Sequence, residues 1–243
     1  MLENIKIVLV RTFHPGNIGS ALRSMKTMGL SKLVLVNPKD FPSSECEKMA
    51  AGAKDLISSI EVVDSINDAI ADCTLVIAST ARPRGYDLPE LDPTEAANFL
   101  VESSNSNQVA LIFGPERMGL HNEDLRLAKY RVTIPANPDY NSLNLAAAVQ
   151  TLGYEIYKSY LTQISNPLPQ TQSTKQLPTA EDIARLHQHI ESVLMKIKFL
   201  RTHQGETMQR IQHMLTRTEI DAHETNILRG ILGSIEKTID GEK

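Results

Sequence analysis

The segment Ile5–Arg23, IKIVLVRTFHPGNIGSALR, decides the fold class. A run dominated by Ile, Val and Leu, too continuous for a half-exposed strand, breaks at a polar loop carrying Pro15, Gly16 and Gly19. From Ile18 onward apolar residues recur at 18, 21, 22, 25 and 28, the period of a helix. A strand covered on both faces and followed by an amphipathic helix is the repeating unit of a parallel sheet. Outward from it the unit repeats. Strand patterns lie at Ile5–Val10, Lys32–Val36, Glu61–Val63, Leu75–Ala78, Val109–Phe113 and Arg131–Ile134. Between them Asp92 followed by Pro93 reads as a cap and a first-turn proline, and Ser142–Leu161 is the longest helical stretch. Strand–helix alternation over the first 160 residues predicts an α/β domain with a mostly parallel sheet.

The texture changes at Gln163. Residues 163–179 hold Pro167, Pro169, Pro178 and a polar run, the composition of a linker. No strand pattern follows; helices are expected near 180–200, 205–216 and 222–239, broken at Gly205. The expected organisation is a domain over 1–162, a linker over 163–179 and a small all-helical domain over 180–243.

The 243 residues are 41% hydrophobic and 22% charged, enough for a sizeable core without staples. No stretch approaches the roughly 18 uncharged apolar residues of a membrane span, and LENIKIVLV is too short and too acidic at its start for a signal peptide. Cys46 and Cys73 have neither the number nor the spacing of a disulfide framework or a zinc site. A reducing, cytoplasmic location is expected.

The net charge of −4 argues against a nucleic-acid partner, but it is unevenly spread. Residues 1–160 hold 15 basic and 19 acidic side chains, and residues 161–243 hold 10 of each. Within Met195–Arg217, Lys196, Lys198, Arg201, Arg210 and Arg217 face a single acid, Glu206. Such a run is either a solvated helix face or a surface that tracks phosphates.

Ligands of doubly wound sheets sit beyond the carboxyl ends of the strands, so the loops there carry the chemistry. After the first strand Gly16 and Gly19 are spaced G-x-x-G, which is not the dinucleotide fingerprint. A nicotinamide or flavin domain is disfavoured, as is the commonest methyltransferase architecture. The loop places Gly16 or Asn17 at a helix start, with Arg23 two turns on. That pattern suits either a phosphate site or a capped surface helix with an exposed arginine. After the fourth strand comes STARPRGYDLPELDP, with small residues Ser79, Thr80 and Ala81 before Arg82 and Arg84. After the fifth, GPERMGL sets Glu116 and Arg117 between Gly114 and Gly119. After the sixth, PANPDYNSLNLAAAVQ places Asn141 or Ser142 as the cap of the long helix.

Together these loops resemble the SPOUT methyltransferases in their TrmH-like branch. The motifs are NxGxxxR at Asn17–Arg23, LIFGPERMGL at Leu111–Leu120 and IPANPDYNSLNLAAAVQ at Ile134–Gln150, in that order and at strand ends. The segment ELDP and NILRGILGSIE at Asn226–Glu236 resemble the TrmJ subgroup, bacterial tRNA (cytidine/uridine-32-2′-O)-methyltransferases.

The resemblance implies a trefoil-knotted domain, a homodimer with its active sites at the interface, and S-adenosylmethionine as methyl donor with no metal. It implies donor contacts from Ser79, Thr80, Ala81, Gly114, Ile134, Asn141, Ser142 and Leu143. Two positions depart from relatives: Ala78 stands where a glycine is common, and Asn141 where serine or glycine is. Arg23 is implied as the catalytic arginine, with Asn17, Glu116, Ser142 and Asn144 positioning it or the ribose, although Glu116 equally suits a loop brace. A guanidinium is effectively always protonated, so Arg23 either stabilises the developing alkoxide or accepts a proton transiently. The implied reaction is 2′-O-methylation of cytidine or uridine at position 32 of the tRNA anticodon loop. Arg82 and Arg84 would lie beside the target nucleotide, and the cations of Met195–Arg217 would grip the RNA backbone. The competing readings are action on ribosomal RNA or another tRNA position, and a non-catalytic RNA-binding protein on the same fold. The seven histidines are not at metal-ligand spacing, and no membrane association is expected.

Overall fold

Every residue of the first strand is buried, Lys6 included, and the sheet is built outward from it on both sides. The computed structural model describes residues 1–81, 88–165, 176–203, 205–218 and 220–241. It divides into two compact units, Met1–Gln170 and Thr171–Lys243. In chain order the first contains β1 (Ile5–Val10), α1 (Pro15–Thr27), β2 (Lys32–Val36), α2 (Ser44–Ala50), β3 (Glu61–Val63), α3 (Ile66–Ile70) and β4 (Cys73–Ser79). There follow β5 (Glu90–Leu91), α4 (Pro93–Ser103), β6 (Gln108–Phe113), α5 (Asn122–Leu125), β7 (Tyr130–Val132) and α6 (Leu145–Ser165).

The seven strands lie in the order β3-β2-β1-β6-β4-β7-β5, and every pairing is parallel. Ile5, Ile7 and Leu9 pack with Ile18, Leu22 and Met25 of α1 and with Val149, Leu152 and Ile156 of α6. Alternate residues, Val8 and Val10, are buried toward the opposite layer. Lys6 also points there. It reaches Asp72 Oδ1 at 2.6 Å and the Ala69 carbonyl at 3.3 Å, which is how an ammonium survives in a central strand. Two later strands enter between earlier ones: β6 between β1 and β4, and β7 between β4 and β5.

The predicted strands are all present, with β4 longer than Leu75–Ala78 and the last strand ending at Val132 rather than Ile134. Strand β5 was not expected; two residues are too short to show a period. The helix starts differ from expectation at two places. Helix α1 begins at Pro15 with His14 as its cap, because proline lacks only an amide hydrogen that the first turn leaves unused. Asn17 therefore sits inside the first turn. Helix α6 begins at Leu145, and its cap is Asn144, whose Oδ1 accepts from the amides of Ala146 at 2.9 Å and Ala147 at 3.4 Å. Asn141 and Ser142 remain in the loop. The expected start at Asp92-Pro93 is a full capping box with Glu95.

The second unit holds α7 (Ala180–Lys196), α8 (Glu206–Arg217) and α9 (Ala222–Asp240), with capping boxes at Thr179/Asp182 and Asp221/Glu224. Helix α7 stops short of residue 200 because the chain turns at Lys198, which has φ of 59°. Its partner is α9: His189 Nε2 lies 3.1 Å from Glu236, and Lys196 reaches Glu236 at 2.9 Å and Asp240 at 3.4 Å. No described helix is long and apolar enough to cross a membrane.

Helices α1 and α2 approach so closely that a Cβ on Gly19 would stand 2.1 Å from the Cys46 carbonyl oxygen. Backbone cannot yield as a flexible side chain would. Gly19→Ala is expected to destabilise the protein by about 1–3 kcal/mol, read as a lower urea midpoint with unchanged slope.

Candidate functional site

A cleft opens at the carboxyl ends of β4, β6 and β7, the three neighbouring strands on one side of β1. It is a groove open to solvent and not an enclosed cavity. Its walls come from three separate loops: Ser79–Ala81, Phe113–Gly119, and Ile134 with Ser142–Ala148. The Thr80 amide donates to the Val132 carbonyl at 3.0 Å and holds the first of these against β7. Phe113, Ile134, Leu143 and Leu145 supply apolar surface, while Ser79, Thr80, Ser142 and the loop backbone supply polar atoms.

Gly114 is demanded by the loop's own closure. A Cβ there would meet Leu120 N at 2.2 Å and Gly119 C at 2.3 Å, so the chain doubles back on the residue that leaves β6. Gly119 completes the turn with φ of 65°. That turn delivers Glu116 to the first loop. Its Oε2 accepts from Phe13 N at 3.0 Å; its Oε1 accepts from His14 N at 3.1 Å and Asn17 Nδ2 at 2.8 Å. Burial pushes this carboxyl up, and the hydrogen bonds from Asn17, Phe13 and His14 outweigh it, holding the group below the ordinary carboxylate range. Asn17 continues the chain, its Oδ1 accepting from Asn144 Nδ2 at 3.0 Å. One hydrogen-bonded line thus runs from the β6 loop through the start of α1 to the cap of α6.

Of the residues singled out from the sequence, Ser79, Thr80, Ala81, Gly114, Glu116, Ile134, Ser142 and Leu143 line the cleft. Asn17 and Asn144 join it through Glu116. Asn141 is exposed and is not part of the wall. Arg23 is not brought to the cleft of its own chain. It is exposed, one helical turn beyond Gly19 on the side of α1 that meets α2, and no described residue pairs with its guanidinium. Arg82 and Arg84 lie outside the described residues, as does the side chain of Arg217. In the second unit Lys196 is occupied by Glu236 and Asp240, Arg210 lies 2.9 Å from Glu206, and Lys198 and Arg201 are exposed. Burial holds His187 down to about 4, so it adds no cation at neutral pH. Among the described residues no group of His, Cys, Asp and Glu is arranged to hold a metal ion.

Sequence reasoning missed the ion pair of Arg11 with Asp124. Arg11 leaves β1 with φ of 50°; its Nη1 lies 3.3 Å from Asp124 Oδ1, and Nη2 meets the other carboxylate oxygen. Asp124 Oδ2 also accepts from His121 N at 2.7 Å, so this pair ties the far end of the β6 loop to β1. An arginine and an aspartate 113 positions apart carry no local signal of pairing.

A family model described as the SpoU rRNA Methylase family matches residues 4–154. A second, described as the tRNA methyltransferase TrmJ, C-terminal domain, matches residues 181–243. The chain is 45% identical over 241 residues to the tRNA (cytidine/uridine-2′-O-)-methyltransferase TrmJ of Pectobacterium atrosepticum, covering 99% of this chain and 100% of that one. The crystal structure of TrmJ from Z. mobilis ZM4 is 32% identical, with a TM-score of 0.84 over 96% of this chain and 99% of that one. An S-adenosylmethionine-bound rRNA methyltransferase from Sinorhizobium meliloti is 25% identical, with a TM-score of 0.50 over 63% of this chain and 56% of that one. With the motif loops at the ends of a parallel sheet and both halves matched end to end, the chain belongs to the SpoU methylase family, in its TrmJ group.

Proposed function

We propose that this protein transfers a methyl group from S-adenosylmethionine to the ribose 2′-oxygen of cytidine or uridine at position 32 in the tRNA anticodon loop. The observation that carries the reading is the convergence of the three motif loops on one cleft through the Glu116–Asn17–Asn144 line. The tRNA substrate rests on the full-length likeness to enzymes named for it and on the C-terminal match. A pyrimidine in a loop suits such an enzyme, because A-form helices hide their base edges while loop nucleotides can be splayed out.

The cleft fits the donor. Apolar side chains of Ile134, Leu143 and Leu145 offer a bed for a purine ring, and the backbone of Ser79–Ala81 and of residues 114–119 offers amides and carbonyls to its edges. S-adenosylmethionine supplies an electrophilic methyl group when bound. The chain's own residues must then place and activate the hydroxyl. Glu116 acts here as a positioning residue, since its two oxygens are already taken by three donors from the first loop and the first turn of α1. Arg23 supplies the cation for the ribose oxygen and the adjoining phosphate. A guanidinium is a poor proton acceptor, so stabilisation of the developing alkoxide is the role its chemistry favours. Because Arg23 does not reach the cleft of its own chain, we place it at the cleft of a second copy in a homodimer. The small-residue start of α6, Ala146–Ala148, suits the close packing such an assembly needs. The trefoil knot, a cytoplasmic location, the domain limits at residues 162 and 180, and RNA contacts from Arg82, Arg84, Lys196, Lys198, Arg201, Arg210 and Arg217 belong to the same reading.

Labelled methyl transfer into unmodified tRNA, with mass-spectrometric mapping of the product, tests the whole. Methylation of another ribose would reassign the substrate, and its absence would remove the reading. Arg23→Ala is expected to lower turnover about 10²–10³-fold with the donor Kd unchanged by calorimetry; near wild-type turnover would refute the role. Mixed dimers of Arg23→Ala chains with chains impaired in donor binding should regain one competent site.

Glu116→Gln places an amide NH2 among N–H donors. It should destabilise the fold by about 1–3 kcal/mol and weaken donor binding. The wild-type carboxyl is held below its ordinary value of 4.5. Its contribution is therefore complete above that value and lost as pH falls through the lower folded value. Donor affinity should accordingly stay level from pH 8 to 5 in the wild type, as titration calorimetry can check.

A further inference from the structure

Beside the cleft, on the side where Glu116 grips the first loop, two cations converge on one aromatic ring. Lys39 Nζ stands 3.5 Å from the centroid of Phe13, and the Arg117 guanidinium carbon stands 5.0 Å from it. His14 meets the same ring edge-on at 4.9 Å. Lys39, Arg117 and His14 are exposed and Phe13 is half-buried. These residues come from three strand-end loops, and their backbones are fastened together. The Lys39 amide donates to the Thr12 carbonyl at 3.0 Å, the Arg11 amide donates to the Val36 carbonyl at 2.7 Å, and Glu116 takes the amides of Phe13 and His14.

Like charges gathered at a surface normally spread apart or find carboxylates. Here no described carboxylate forms an ion pair with either cation, including Asp40, the residue after Lys39. The negative face of the Phe13 ring holds them instead, and a ring neutralises no net charge. The result is a fixed, desirous-of-anion pocket edge in a sheet domain that is acidic overall. Glu116 both lines the cleft and carries the amides of Phe13 and His14, and Arg117 follows it in the chain, which ties the cluster to the cleft wall.

We propose that Lys39 and Arg117, mounted on Phe13, form a phosphodiester subsite that holds the RNA strand next to the nucleotide entering the cleft. Phe13 presents the two cations and takes no base itself, since Lys39 already occupies its face. This deepens the reading above, on which it rests, by naming a backbone contact made by the catalytic unit alone. A lysine and an arginine here match a bridging phosphate of a single-stranded loop, which presents its charge at short intervals and carries no sequence information.

The test uses the full-length protein with unmodified tRNA and compares Lys39→Gln, Lys39→Arg, Phe13→Leu and the double variant Lys39→Gln/Arg117→Gln. The expected result for Lys39→Gln is a rise in tRNA KM and Kd of about three- to tenfold, with kcat within about twofold and the donor Kd unchanged. The slope of log Kd against log salt should fall by about 0.7–0.9 per cation removed. Lys39→Arg should restore both, and Phe13→Leu should give part of the loss while keeping every charge. A salt slope and KM unchanged in both Lys39→Gln and the double variant would overturn the subsite, even with the wild type fully active. A wild type that neither binds nor methylates tRNA would remove the functional reading first, and this one with it. Saturable binding of inorganic phosphate that Lys39→Gln abolishes while tRNA KM and the salt slope stay unchanged in that variant would reassign the cluster to a free anion and overturn the assignment to RNA.

Discussion

The half-buried carboxylate of Glu116 is the constraint around which the functional end of the sheet is organised. A charge taken partly out of water is tolerated only when hydrogen bonds replace the lost hydration. Glu116 finds three donors, Phe13 and His14 from the segment between β1 and α1 and Asn17 from the first turn of α1. That obliges two loops from adjacent strands to meet, and Asn17 extends the obligation to a third through Asn144. The geometry is possible only because Gly114 has no side chain where the returning backbone of Gly119 and Leu120 passes. A glycine that invites a ligand-binding interpretation is first a requirement of the protein's own turn.

Electrostatics at this end of the molecule follows from the same arrangement. The net charge of −4 is a poor guide because what matters is which charges are already paired. Lys6 is committed to Asp72, Arg11 to Asp124, Arg131 to Glu90 and Lys196 to Glu236 and Asp240. Each holds structure together and has little left for a polyanion. Arg23, Lys39 and Arg117 are different: all are exposed, and no described carboxylate pairs with them. The cationic run at Met195–Arg217 is correspondingly weaker than its composition, since one of its members is bound across to α9 and another lies against Glu206.

Much of the fold was legible because burial on both faces leaves a plain mark. β1, β2, β4 and β6 are runs of Ile, Val, Leu and Ala that no half-exposed strand or surface helix would tolerate. Helix starts were legible where capping chemistry is local, as at Asp92-Pro93, and misplaced where two caps competed. Asn144 displaced Asn141 and Ser142 as the cap of α6 because its amide also answers Asn17, a residue 127 positions away. The loops of the site could be chosen from their place after strands and from their motif likeness, and most of the chosen residues do line one cleft.

What the sequence determined by itself is therefore the set of local choices: parallel strands from apolar runs, helices from their period, and the loops that face the ligand. Only the tertiary structure decided the strand order, with β6 and β7 each inserted between earlier strands, because pairing partners distant in sequence leave no periodic trace. It alone decided that Glu116 serves the first loop, that Arg11 meets Asp124, and that Lys39 and Arg117 share the Phe13 ring. It also decided that Asn17 faces Glu116 while Arg23, two turns along the same helix, is exposed and does not line the cleft of its own chain. These are long-range contacts between charged or polar groups. Their energies depend on distance and burial, and neither quantity exists until the chain has folded.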